Sequence, residues 1–105
     1  MSKEEKIRYL KSYRIQQTKI NRIKELLEEC PEKEIKYLEE IKRATSKRDS
    51  IENAIENIDG GLLSEVLFQK YILCKSMENI GRDINYSKRQ IERLHLKAIE
   101  KLNLA

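Results

Sequence analysis

No glycine or proline occurs before position 31, and across that stretch one stripe of side chains returns at alternating steps of four and three. It runs Tyr9, Tyr13, Gln16, Ile20, Ile23, Leu27 and Cys30, with a single polar layer at Gln16. A helix keeps such heptad spacing on one face, whereas a strand scatters it over both. Pro31 interrupts the run and suits the first turn of a new helix, where its missing N–H costs nothing. Glu32 and Glu34 then set negative charge at the positive end of that helix. A second heptad series, Tyr37, Ile41, Ala44, Arg48, Ile51, Ile55 and Ile58, stops at Asp59-Gly60-Gly61, a strong cap and turn signal. Each predicted helix approaches a length of roughly 40 Å, and the two stripes meet most simply as an antiparallel hairpin. Gln16 and Arg48 thin the seam, and helix pairs in isolation are marginal. A partner is therefore expected: a second copy, the C-terminal part of the chain, or another protein. A coiled coil that only holds a dimer together is the plainer alternative.

Composition agrees with helices and excludes other classes. The chain has 105 residues, 38% of them charged and 6% aromatic, with no Trp, one Pro and three Gly. Sandwiches and barrels need more turn residues and more strand formers than that. The longest uncharged run, Gly60 to Ser64, is five residues, too short to span a membrane. Met1-Ser2-Lys3-Glu4-Glu5 lacks the apolar stretch of a signal peptide. Cys30 and Cys74 show no metal-site or disulfide spacing and read as reduced thiols. The expectation is an all-α, cytoplasmic protein with no membrane partner, no metal and no cofactor.

After Gly61 the texture changes, which divides the chain into a hairpin over 1–59 and a second domain over 60–105. Leu62, Leu63, Val66, Leu67 and Tyr71 make a denser apolar face. Ser76 is predicted to cap a short helix whose Met77, Ile80 and Ile84 point inward. Asn85-Tyr86 reads as a turn, because Asn tolerates left-handed backbone. Ser87-Lys88-Arg89-Gln90 is a capping box. It opens a last helix with Ile91, Leu94, Ala98 and Leu102 on its inner face. Helix, short helix, tight turn and capped helix make a helix-turn-helix unit.

In such a unit the N-terminal residues of the second helix meet base edges in the major groove. The outward positions are Lys88, Arg89, Glu92 and Arg93. Arginine pairs with guanine O6 and N7, and a carboxylate accepts from cytosine N4. Ser87, Arg82 and Lys97 flank this face as candidate phosphate contacts. The competing reading is a solvated surface on which Glu92 balances Lys88 and Arg93. Local charge favours nucleic acid more than the overall balance does. Residues 82–101 hold six basic and three acidic side chains, and residues 1–24 hold eight basic and two acidic. Residues 25–40 reverse the sign, with seven acidic and two basic.

The run from Ser76 to Leu102, SMENIGRDINYSKRQIERLHLKAIEKL, resembles without a gap the promoter-reading C-terminal domain of bacterial primary sigma factors. Ser76, Gly81, Ser87, Ile91, Lys97, Ala98, Lys101 and Leu102 match its pattern. With the helical N-terminal half, the chain is similar to the small sigma-like regulators of phages and prophages of Gram-positive bacteria, the RinA-like and ArpU-like late-gene activators among them. The resemblance implies a transcriptional regulator whose base-reading residues fall on Lys88, Arg89, Glu92 and Arg93. Primary sigma factors typically carry Arg, Glu, Arg and Gln there, so Arg89 and Glu92 point away from the usual promoter hexamer. No counterpart of the promoter-melting domain is recognisable, so a complete sigma factor is not expected.

The expected function is a sequence-specific DNA-binding regulator, with double-stranded DNA as partner and the N-terminal helices forming a homodimer or meeting RNA polymerase. The alternative is an adaptor that binds the transcription machinery without reading DNA. An enzyme is not expected. His95 is the sole histidine, a packing or phosphate-contacting residue by position, and no phosphate loop or ligand cluster accompanies it.

Overall fold

The computed structural model describes residues 1–104, and these are all-α: no strand occurs among the described residues. Helix α1 spans Lys3–Glu29, and Ser2 caps it by accepting from the Glu5 amide. Pro31 opens a short 3₁₀ turn, Pro31–Lys33, and α2 follows over Glu34–Glu56. The chain reverses here as the single proline predicts. Asn57 ends α2 two residues earlier than the stripe suggests, yet Ile58 stays buried beyond the helix end. Gly60, at φ 125°, begins the next turn, a backbone that L side chains rarely adopt. Helix α3 covers Gly61–Leu67 and runs into a π-helical turn over Phe68–Ile72. Helices α4, Met77–Ile84, and α5, Lys88–Lys101, complete the fold.

The hairpin forms, with α1 packed along α2. Ile20, Ile23, Tyr37, Ala44, Ile51 and Ile55 are buried along it. Its polar layer lies one residue from the expected place: Arg48 donates to the side-chain oxygen of Gln17, not Gln16, at 2.9 Å. Tyr13 donates to Glu52 at 2.6 Å. The Tyr13 hydroxyl is thereby pushed up to about 12, by burial first and by the Glu52 bond and charge after it.

The C-terminal helices supply one of the expected partners. Leu10 of α1 and Ile51, Ile55 and Ile58 from the hairpin share one core with Leu63, Leu67, Tyr71, Ala98, Ile99 and Leu102. Leu10 is fully buried, whereas Tyr9 and Tyr13 are only half-buried. The stripe rotates at this end because α1 here meets the π-helical turn and α5 as well as α2. Lys6 fastens the junction by donating to the carbonyls of Ile99 and Glu100, at 3.1 and 3.4 Å. A cation is favoured there, at the negative end of α5.

Candidate nucleic-acid interface

A second, smaller core holds the helix-turn-helix pair together. Val66, Ile80 and Ile91 are fully buried, with Met77, Ile84 and Leu94 packed around them. Ser76 caps α4 by accepting from the Asn79 amide at 3.2 Å. At the other end Asn85 is left-handed, with φ 60° and ψ 44°, and the Tyr86 amide donates back to the Gly81 carbonyl at 2.8 Å. Asn is one of the few residues that visits this region readily. The capping box of α5 is complete. Ser87 Oγ accepts from the Gln90 amide at 3.1 Å, and the Ser87 amide donates to Gln90 Oε1 at 2.8 Å.

Gly81 is where the tight turn leaves no room. A Cβ at this position would lie 2.4 Å from the Tyr86 carbonyl oxygen, and backbone on both sides fixes the approach. Lys75 and Asp83 form an ion pair across the start and end of α4. The angle between α4 and α5 is thus fixed by hydrogen bonds and by apolar packing together.

His95 belongs to this scaffold. It is buried, and its Nε2 lies 2.6 Å from the Tyr71 hydroxyl. The rings are 5.7 Å apart and tilted by 32°. Burial lowers the imidazole below its ordinary value, and the charges of Lys70 and Lys3 lower it further. Burial pushes the Tyr71 hydroxyl up to about 12. A neutral imidazole paired with a neutral phenol is a satisfied core contact. His95 is therefore a packing residue, turned away from the outward face of α5.

That outward face carries the candidate residues. Lys88, Arg89, Glu92, Arg93 and Lys97 are all exposed on α5, and Arg82 is exposed in the last turn of α4. Glu92 does not balance Lys88 or Arg93. Lys88 instead reaches Glu78 of α4 at 3.8 Å. Among the described residues, the side chains of Arg82, Arg89, Glu92, Arg93 and Lys97 have neither ion pair nor hydrogen bond. The first turn of α5 contains no acidic residue, so its dipole and the side chains of Lys88 and Arg89 add to one positive field. Ser87 accepts the capping bond, which leaves its hydroxyl hydrogen available to an acceptor outside the chain.

Leu96 completes the outward line and was not singled out by sequence. It is 44% exposed, at i+7 from Arg89 and i+3 from Arg93. Its spacing from the arginines is the signal that marks it as outward, against its apolar chemistry. An exposed leucine at that point suits the methyl group of thymine. No group of three or more His, Cys, Asp or Glu is placed to hold a metal among the described residues. Among those residues, no helix is long and apolar enough to cross a membrane. Comparison with protein-family models, with curated proteins and with solved structures finds no match for this chain.

Proposed function

We propose that this protein is a sequence-specific DNA-binding regulator of transcription, sigma-factor-like and of phage or prophage character, in which α5 enters the major groove. One observation carries the proposal. Arg89 and Arg93 stand one turn apart, exposed and without an internal partner, on a helix whose N-terminus is held by a full capping box. A solvated surface of the ordinary kind pairs its charges at i, i+4; here that pairing is absent. Rigid mounting of unpaired arginines on a helix is what bidentate contact with guanine requires.

Roles follow from position along α5. Arg89, Glu92 and Arg93 face base edges, with Leu96 beyond them. Ser87, Arg82 and Lys97 hold phosphates, because they flank the line. Lys88 serves the same purpose through a tether that Glu78 partly occupies. The far end of the hairpin meets a second copy or RNA polymerase. Ile35 and Leu38 of α2 are 78% and 47% exposed there and give a homodimer its apolar contact.

The test uses the duplex that the full chain enriches from a random pool. Arg89→Ala or Arg93→Ala each costs about 1–3 kcal/mol of specific binding and relaxes preference at one base pair. Lys97→Ala weakens all duplexes about equally and flattens the salt slope by about one ion. If both arginine variants keep the affinity and base preference of the parent, α5 is not the reader. An adaptor that never touches DNA shows no duplex binding by any of these proteins.

A further inference from the structure

Residues 6–24 contain seven basic side chains and no acidic one. None of the seven joins an ion pair among the described residues. Lys6 is spent on the carbonyls of α5, but Arg8, Lys11, Arg14, Lys19 and Arg22 are exposed on the side of α1 opposite the hairpin seam. Glu25, Glu28 and Glu29 crowd the C-terminal end of α1, whose last turn has no basic residue. Glu4 and Glu5 occupy its first turn, and the cations fill the stretch between. A run of cations that no carboxylate of the chain pairs leaves this face of α1 positively charged toward solvent.

The band does not stop at α1. Lys11 and Arg14 share one hollow with Lys70 of the π-helical turn and with Cys74 just beyond it. The same two residues share the next hollow with Ile15, Lys19 and Arg22. At the other end Lys3 and Lys6 share a hollow with Leu96, on the outward line of α5. Positive charge therefore lines α1 as far as Lys70 and approaches the proposed reading helix through Lys3 and Lys6, with Glu4 and Glu100 interrupting it at that junction.

We propose that the exposed face of α1, with Lys11, Arg14 and Arg22 at its centre, is a second nucleic-acid contact that grips the phosphate backbone of the duplex whose bases α5 reads. The proposal rests on the DNA-binding reading. From Arg8 to Arg22 the band is about 21 Å long, more than half a turn of duplex, so a backbone lying along it meets several of these cations. It carries no sequence information, because phosphates are the same at every step. Its adjacency to α5 across the hollow of Lys3, Lys6 and Leu96 favours this occupant over a second copy, whose proposed apolar contact is at Ile35 and Leu38.

The experiment measures binding of the full chain to a 30-base-pair duplex of random sequence and to the enriched duplex, between about 50 and 200 mM salt. The triple variant K11Q/R14Q/R22Q is compared with the charge-keeping K11R/R14K/R22K. Each lost phosphate contact flattens the log–log salt slope by about 0.9. The neutral variant is expected to lose two to three contacts with base preference unchanged. Across that salt range the parent then loses about 12- to 40-fold more affinity than the neutral variant does, for two to three contacts. The charge-keeping variant keeps the parent's slope. If the parent binds duplex and the neutral variant keeps both slope and affinity, the α1 contact is overturned and the α5 reading survives. If the parent binds no duplex, both fail together. An unchanged slope, with sedimentation showing a dimer lost only in the neutral variant, assigns the face to a second copy and overturns the proposal.

Discussion

A methyl group at position 81 would meet the Tyr86 carbonyl oxygen at 2.4 Å, and neither backbone segment can retreat without opening the turn. Gly81→Ala is therefore expected to cost about 1–3 kcal/mol, the usual penalty of overpacking, and to lower the urea midpoint accordingly. An unchanged midpoint would mean that the turn is looser than its hydrogen bonds suggest. His95 makes a pH dependence of definite sign. Its folded value lies below the ordinary 6.5, so below that pH the unfolded chain binds the extra proton first. The stability it contributes is complete above pH 6.5 and is lost as pH falls from there through the lowered folded value. Tyr71 acts in the opposite window, since its hydroxyl is raised from 10.0 to about 12. That contribution is complete below pH 10 and is lost as pH rises toward 12. Denaturation midpoints for the parent and for His95→Gln, compared at pH 7.5 and pH 5, check the acid side. The variant is expected to show the smaller fall. An equal fall in both would place the titrating group elsewhere.

At the scale of elements, Ser87 is the clearest lever. Its side chain satisfies the Gln90 amide, and loss of such a cap costs about 1 kcal/mol. Ser87→Ala should lower stability by that amount, read in the same denaturation experiment, whereas no change would show that α5 is capped by other means. The caps at Ser76 and Ser87, the left-handed Asn85 and the break at Pro31 were all legible beforehand, because each depends on residues within four positions of itself. The features that depend on distant packing were not. Leu10 is buried, in place of the flanking tyrosines, only because α5 and the π-helical turn dock on α1. The π-helical turn over Phe68–Ile72 is capped by Leu73 and followed by Cys74, a non-glycine residue at φ 57°, and no local composition marks that turn. In the candidate site, Lys88, Arg89, Glu92 and Arg93 lie outward as their spacing requires. The tether of Lys88 to Glu78 joins two helices and was hidden from any single periodicity.

The whole molecule is an elongated body of 51 × 30 × 21 Å, with the helix-turn-helix pair docked on one end of a hairpin and an acidic tip at the other. That polarity keeps the acidic residues away from the end that faces DNA under the proposed function. It also leaves Ile35 and Leu38 exposed where a second copy can cover them. Sedimentation at high micromolar concentration is expected to show a dimer, and Ile35→Glu to return it to a monomer. A parent that sediments as a monomer would remove the dimer from the account and leave DNA reading untouched. A two-fold dimer of helix-turn-helix units reads half-sites about one helical turn apart, or multiples of that. Selection of bound duplexes from a random pool, with the purified full chain, is the decisive experiment. Enrichment of a short motif, with guanine at positions that lose preference in Arg89→Ala or Arg93→Ala, is the expected result. Recovered duplexes as random in sequence as the starting pool would contradict the claim that α5 reads DNA.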